Sequence, residues 1–350
     1  MDTDPLIIDG SHGEGGGQIL RTCASLGAIT GRAVTIRNVR AGRPVPGLKA
    51  QHLTSIDAAM ALCGGMVEGG SVGAREVTLI PGGPVIPGEY TFEIGTAGAT
   101  MLVLQTVAVP LMLAGGGSVT IRGGTHNTHA PSSDFVREVF LHVSGVPIEL
   151  RVDRLGFYPR GGGEVIARLG AARDGFAPVN LADRPARAAM SLHVALSDAL
   201  PVTIAERAEA RVRRRLKPDA DGLAVHVDRR PTLSPSVSLL LVAHYGDVSA
   251  GFTAHGKRGV PTEDLVDDLI REYRDFERGD GVVDEHLADQ LVLPMLFAAG
   301  PSRYRAAVVS EHLRTMAWLV GQWGVGRVTI NDDRLVEVTP AAADTALSVG

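Results

Sequence analysis

Two cysteines in 350 residues cannot staple a fold, and Cys23 and Cys63 each fall within an apolar helical pattern. They read as small core residues of a protein in a reducing compartment. The start, Met1-Asp2-Thr3-Asp4-Pro5, lacks the basic and apolar regions of a secretion signal. No apolar run is long enough to span a bilayer; the longest, residues 101–114, carries Gln105 and Pro110. A cytoplasmic protein without a membrane partner is therefore expected. Positive charge is not in excess either. A net charge of -5 excludes coating of nucleic acid through bulk charge, while leaving room for a local basic pocket. Aromatic residues make up only 4%, so aromatic-rich RNA-binding strands are missing. Two nucleotide motifs are absent as well: there is no G-x-x-x-x-G-K-[ST], and the glycines do not fit G-x-G-x-x-G.

What is present is enough apolar residue, 45% of the chain, to bury a large core and more than one structural unit. The stretch Asp9-Gly10-Ser11-His12-Gly13-Glu14-Gly15-Gly16-Gly17-Gln18-Ile19-Leu20-Arg21 follows a short apolar strand, Leu6-Ile7-Ile8. Ile19, Leu20, Cys23 and Leu26 then recur at helical spacing, so the glycines sit at a strand-to-helix turn. Such a turn can hold a phosphate, because glycines admit close backbone approach and the helix start offers free N–H groups and a positive dipole end. Glu14 is a candidate ligand for a divalent cation, and Gln18 and Arg21, three apart, share a helix face. A flexible surface turn is the plainer alternative.

Further along, a strand at residues 33–36 runs into Arg40-Ala41-Gly42-Arg43-Pro44-Val45-Pro46-Gly47, where two arginines could clamp phosphate or simply lie on the surface. A helix follows, with Leu53, Ile56, Met60 and Cys63 on its core face and Gln51 and His52 near its start. The order strand, helix, strand, helix, strand then returns, with Gln105 on the helix over residues 102–113 and a second loop, residues 123–131, leading to a helix at 134–142. Residues 156–164 form another glycine-rich turn, suited to a hairpin or to a second anion contact through Arg160. From about residue 185 the character changes. Strands at 190–195, 223–227 and 237–243 and a helix at 204–216 indicate an inserted unit. The run Arg211-Val212-Arg213-Arg214-Arg215 is either a solvated helix face or an RNA contact. Thr262 is expected to cap the helix after it. A third copy begins near residue 282, with a helix over 284–295, and Ser310 caps a last helix whose first turn holds His312. A positive helix end disfavours imidazolium, which suits a nucleophile.

Taken together, these segments resemble the RNA 3′-terminal phosphate cyclase family. The likeness is carried by Gly13-Glu14-Gly15-Gly16-Gly17-Gln18-Ile19-Leu20-Arg21, Arg40-Ala41-Gly42-Arg43, Gln51-His52-Leu53, Leu102-Val103-Leu104-Gln105-Thr106, Ala130-Pro131, Gly156-Phe157-Tyr158-Pro159 with Gly161-Gly162-Gly163, Leu287-Ala288-Asp289-Gln290-Leu291, and Ser310 with His312 and Thr315. It covers nearly the whole chain and is weakest in the insert. The resemblance implies an α/β fold of three repeats, each a four-stranded sheet backed by two helices, plus a small inserted α/β domain. On this sequence the catalytic domain takes residues 1–184 and 281–340 (repeats about 1–85, 86–180 and 281–340), the insert 185–280 and a tail 341–350.

It further implies ATP-dependent conversion of an RNA 3′-phosphate to a 2′,3′-cyclic phosphodiester through a covalent histidine-AMP. His312 matches the AMP-accepting nucleophile. Arg21, Arg40, Arg43 and Gln105 match phosphate contacts, Pro131 and His286 the residues that sandwich adenine, with Asp289 and Gln290 nearby. Gln18, Gln51 and His52 are further lining candidates, and Glu14 with Mg2+ or Mn2+ completes the site. Two positions depart from the family pattern: His286 stands where tyrosine is usual and stacks more weakly on a base, and Met316 where bacterial relatives often have asparagine. The alternatives are a cyclase-like ribosome-assembly protein without catalysis, against which His312 speaks, and an enolpyruvyl-transferase-like enzyme, whose loops are not found.

Overall fold

The computed structural model of the chain describes residues 4–13 and 15–341. Its first unit runs β1 (Leu6–Asp9), α1 (Gly17–Thr30), β2 (Val34–Arg37), α2 (Ala50–Leu62), β3 (Met66–Glu68) and β4 (Val77–Ile80). These strands form one sheet in the order β1-β2-β4-β3, with β1 parallel to β2 and the other pairs antiparallel. The second unit repeats the arrangement. β5 (Gly88–Glu93) is followed by α3 (Thr100–Ala114), β6 (Gly117–Gly123), α4 (Ser133–Phe135), a π-helical turn (Val136–Phe140), α5 (Leu141–Ser144), β7 (Ile148–Arg154) and β8 (Gly163–Leu169). Its sheet has the equivalent order β5-β6-β8-β7.

The third unit is split. Its first strand, β9 (Asn180–Leu181), precedes the insert, which comprises β10 (Ala189–Ser197), α6 (Thr203–Arg215), β11 (Ala224–Arg230), β12 (Val237–Tyr245), β13 (Val248–His255) and α7 (Thr262–Arg278). The chain then returns with α8 (Glu285–Gln290), α9 (Val292–Met295), β14 (Ser302–Arg305), α10 (Glu311–Trp323), β15 (Gly326–Ile330) and β16 (Leu335–Pro340). The sheet order β9-β14-β16-β15 matches the first two units, and β9 lies parallel to β14. The third copy therefore opens near residue 180 rather than 281. A two-residue strand has no alternation to read, so nothing local marks it. The insert has its own order, β11-β10-β12-β13; its last strand went unread, as did the three-residue β3.

Alternating burial shows what the sheet of the second unit does. Along β5 it runs intermediate, exposed, intermediate, exposed, and along β8 every second residue is buried, so one face packs on helices and the other meets solvent. The helices in turn pack on each other: α1, α2 and α3 are mutually in contact, and α10 touches α1 and α8. Cys23, Leu26, Ile56, Val103, Val107 and Leu319, all fully buried, lie in this helical layer. Both cysteines are buried thiols. Gly31 and Gly324, both left-handed at φ 68°, end α1 and α10 with backbone N–H bonds to Gly27 and Val320 carbonyls.

Two sequence expectations change, and a third is sharpened. The helix over 284–295 is two short helices meeting at Leu291, three residues before Pro294, whose ring cannot follow a regular helical turn. Thr262 is the first helical residue of α7, and Pro261 holds the cap position without a side-chain bond. Of the arginine run on α6, Arg214 is exposed and Arg213 pairs with Glu209, while Arg211 and Arg215 reach Asp267 of α7, as Arg207 before the run reaches Glu263. Those paired charges are neutralised within the insert. The other side of the insert sheet packs β13 on the π-turn and α5, where Asp284 accepts the Gly251 N–H at 3.2 Å and links it to α8. No helix among the described residues is long and apolar enough to cross a membrane.

Candidate functional site

The glycine loop after β1 is seated on α10. His12 stacks on Trp318 with ring centroids 3.8 Å apart and planes 12° from parallel. Gly13 has φ 56°, and a Cβ there would come within 2.3 Å of Thr315 Oγ1, so only glycine fits. At the other end of the loop, Gly16 is the N-cap of α1 and offers no side-chain acceptor, which leaves the helix-start N–H groups for a ligand. A Cβ on Gly17 would meet His52 Nε2 at 2.6 Å and Arg21 at 2.7 Å. The backbone thus runs directly beneath one expected phosphate contact, Arg21, and one lining candidate, His52.

Three chain segments bring cations to this point. Arg21 comes from α1; burial lowers its pKa to about 10, opposed by Asp289, and it stays charged at neutral pH. Arg40 has φ 53° and is buried, its guanidinium donating to the carbonyls of Val45 (2.8 Å) and Gly47 (2.9 Å). It braces the loop that carries Arg43 to the cleft. Burial first, and Arg43 second, lower its pKa. Lys49 precedes α2, and its backbone N–H donates to His52 Nδ1 at 3.1 Å. Burial, then the charges of Arg21, Arg40 and Lys49, push His52 down to about 3. It is therefore neutral, with its proton on Nε2, a hydrogen-bond donor aimed at the Gly17 backbone region. His52 is at once a helix-end residue and a site residue.

Opposite these cations, three helices meet around Gln18. Its Nε2 donates to Asp289 Oδ2 at 2.7 Å, and its Oε1 lies 3.1 Å from His312 Nδ1. His312 stands in the first turn of α10, where Ser310 Oγ accepts the Leu313 N–H at 3.3 Å as N-cap. Burial raises the Asp289 carboxyl to about 6, with His312, His286 and Arg21 pulling the other way. A second glutamine pair lies alongside: Gln105 Nε2 donates to Gln290 Oε1 at 2.5 Å, joining α3 to α8.

All of these groups face one cleft of about 670 Å³. Arg21, Arg40, Arg43, Gln105, Pro131, His286, Asp289, Gln290, Gln18, Gln51, His52 and His312 all line it. Glu14, the expected metal ligand, lies outside the described residues. Among the described residues no group of three or more His, Cys, Asp or Glu could hold a metal ion. His286 is exposed. Met316 is buried and accepts the Thr22 hydroxyl at 3.3 Å, so it packs behind the site.

Sequence reasoning missed several lining residues. Lys49 and His129 belong to the cleft, and Thr253 and His255 reach it from β13 of the insert. Burial, chiefly, takes His255 down to about 4, so it too is neutral. Nothing local marks these two, since their position depends on the pairing of β13 with β12 and its packing on the second unit. The turn at residues 156–163 does not join this cleft. With Arg122, Arg154 and Arg160 it lines another, of about 440 Å³, beside Leu233 of the insert.

Known proteins share this chain's sequence along its length. The sequence profile described as RNA 3′-terminal phosphate cyclase matches residues 12–330. A Methylococcus capsulatus protein named RNA 3′-terminal phosphate cyclase is 41% identical over 342 residues, 95% of this chain and 94% of its own. A Gloeothece citriformis protein of the same name is 38% identical over 346 residues, 96% of this chain and 98% of its own. One from Ralstonia nicotianae is 38% identical over 334 residues, 94% of each chain.

Proposed function

The chain belongs to the RNA 3′-terminal phosphate cyclase family, and from that premise we propose that it converts an RNA 3′-phosphate into a 2′,3′-cyclic phosphodiester, using ATP. The observation that carries the reading at this chain's own residues is His312. It stands at a helix start across one cleft from Arg21, Arg40, Arg43 and Lys49, with its Nδ1 held by Gln18.

A phosphate monoester is a poor electrophile, so it must first gain a leaving group. A ring nitrogen of His312 attacks the α-phosphorus of ATP; an N–P bond forms, the bond to the bridging oxygen breaks, and pyrophosphate leaves. Arg21 and Arg43, with the open N–H groups at the start of α1, balance the charge on the phosphates. An oxygen of the RNA 3′-phosphate then attacks the same phosphorus, breaking the N–P bond and returning the histidine to its neutral form. Finally the adjacent 2′-hydroxyl attacks the activated 3′-phosphorus and loses its proton to solvent, and AMP leaves. Pro131 and His286 flank the adenine, with Gln290 fixed beside it by Gln105. Gln51 and neutral His52 supply hydrogen bonds without adding charge.

A divalent cation, Mg2+ or Mn2+, would neutralise phosphate charge here. A nucleotide-bound Mg2+ needs only one or two protein carboxylates, its other ligands being phosphate oxygens and water. Glu14, in the glycine loop before α1, is assigned as the protein ligand. An oligonucleotide ending in a 3′-phosphate, incubated with ATP and magnesium, tests the reading. Its end should become resistant to phosphatase, with AMP and pyrophosphate released in equal amounts. An end that stays phosphatase-sensitive in the presence of folded, ATP-binding protein would contradict it.

A further inference from the structure

The glycine-rich turn at residues 156–163 lies outside the cleft of His312, yet it is held in place from two sides. Phe157 is buried, and its backbone bridges to His126 and to Gly161. The Gly156 N–H donates to Thr125 Oγ1 at 3.0 Å, and the Thr125 N–H donates to the Gly156 carbonyl at 2.9 Å. Gly161 is left-handed at φ 66°, and a Cβ there would meet the Thr96 carbonyl at 2.8 Å. From the insert, Ser234 Oγ accepts the Arg160 N–H at 3.1 Å. What this fastening leaves outside is Tyr158, 78% exposed, and the Arg160 side chain.

We propose that the cavity of about 440 Å³ beside this turn is a groove for single-stranded RNA, carrying the strand that leads to the 3′ end reacting in the cleft. Arg160, with Arg122 and Arg154, contacts phosphodiesters, Leu233 packs on a ribose, and Tyr158 stacks on a base. The inference rests on the reading of RNA as the substrate.

Charge favours this occupant. Arg122 is shared by Glu93 and Glu164, and Arg154 also reaches Glu164. Arg160 has no carboxylate partner among the described residues. Three guanidinium groups thus stand against two carboxylates, a local positive balance in a chain of net charge -5. Arg122 and Arg154 are 45% and 58% exposed, so their ion pairs contribute little and yield readily to phosphate oxygens. A cationic groove with an exposed aromatic ring is how proteins hold single strands without reading sequence. A duplex offers no unstacked base to Tyr158.

Position ties the groove to the cleft. Thr96 and Gly123 line the groove, and Leu102 and His129, each six residues further along the chain, line the cleft. Six residues span at most about 22 Å. A stacked strand rising about 3.4 Å per nucleotide covers that distance in roughly six nucleotides. The insert borders both, with Leu233 at the groove and Thr253 and His255 at the cleft. An RNA whose terminal phosphate lies in the cleft therefore meets the groove along the seam between the second unit and the insert.

The test compares a labelled dinucleotide with a labelled RNA of about twelve nucleotides, both ending in a 3′-phosphate, by fluorescence anisotropy without ATP. Wild-type protein should bind the longer RNA more tightly. Arg160→Ala and Arg160→Gln should weaken binding of the longer RNA by about tenfold and reduce the slope of log K against log salt by about 0.7. Arg160→Lys should keep that slope. Tyr158→Ala should weaken the longer RNA by about fivefold or more and leave the slope unchanged. The dinucleotide should bind all of these proteins alike. Equal wild-type affinity for the two RNAs, or an affinity for the longer RNA that ignores both Arg160→Ala and Tyr158→Ala, would overturn the proposal. So would equal losses for both RNAs, since these would place the effect in the cleft or the fold. Binding through Arg160 in a protein that never cyclises RNA would contradict the proposed activity alone, and cyclisation in a protein whose RNA binding ignores Arg160 and Tyr158 would contradict the groove alone.

Discussion

Two groups of arginines in this chain have opposite surroundings. On α6 of the insert, Arg207, Arg211 and Arg215 meet carboxylates of α7 at close range. In the cleft, cations face other cations: Arg43 lowers the pKa of Arg40, and Arg21, Arg40 and Lys49 all lower that of His52. Like charges are costly to gather, and Asp289 offsets part of that cost at Arg21; an incoming phosphate would offset more. A dense basic run in sequence is therefore the quiet feature here, and the positive charge of the cleft comes from residues scattered between Arg21 and Lys49.

Removing a cleft cation should break that contrast most strongly. Arg21→Ala is expected to lower the rate of protein adenylylation by about 10²–10³-fold, the range for loss of one preorganised charge contact in a reacting site. Arg21→Lys should recover only part of it, because a single ammonium cannot replace a planar fork. Rapid-quench measurement of adduct formation at saturating ATP checks both.

The acidic side of the cleft gives a pH test. The Asp289 carboxyl titrates at about 6, so it is ionised above that pH and protonated below it. Once protonated it can donate as well as accept and no longer dictates the orientation of Gln18. Adenylylation should rise with pH through about 6. Asp289→Asn, ambivalent at every pH, should remove this limb and leave a flat rate about tenfold below the wild-type plateau. A limb that persists unchanged in Asp289→Asn would assign it to another group.

Smaller effects separate local structure from charge. Ser310→Ala deletes the N-cap of α10 and should destabilise the protein by about 1 kcal/mol in denaturant titration, with a modest loss of adenylylation as His312 loosens. Arg211→Ala sits at the bottom of the scale. It should leave adenylylation within about twofold and lower the melting temperature only slightly, since ion pairs at a protein's surface contribute little. A large loss of RNA cyclisation with normal adenylylation in Arg211→Ala would instead place RNA on the insert helix.

How much of this was legible follows the range of the interactions. The glycine loop, α1 with its buried Ile19, Leu20, Cys23 and Leu26, and the Ser310 cap are local, and periodicity and capping chemistry revealed them. The site residues of α1, α2, α3, α8 and α10 were named through the family likeness, and the fold brings them into one cleft. What the sequence did not show depends on distant pairing. The strand Asn180–Leu181 is defined only by its bonds to β14, more than 120 residues away. Thr253 and His255 reach the cleft only because the insert docks its last strand on the second unit. The Asp289–Gln18–His312 chain likewise joins residues 271 and 294 positions apart.

Protein incubated with ATP labelled at the α-phosphate and magnesium, then denatured, addresses the central claim most directly. Label should remain on the protein, be lost in acid and persist in alkali, and be absent from His312→Ala. Absence of label on folded wild-type protein that binds ATP, or undiminished label on His312→Ala, would contradict nucleotidyl transfer through His312.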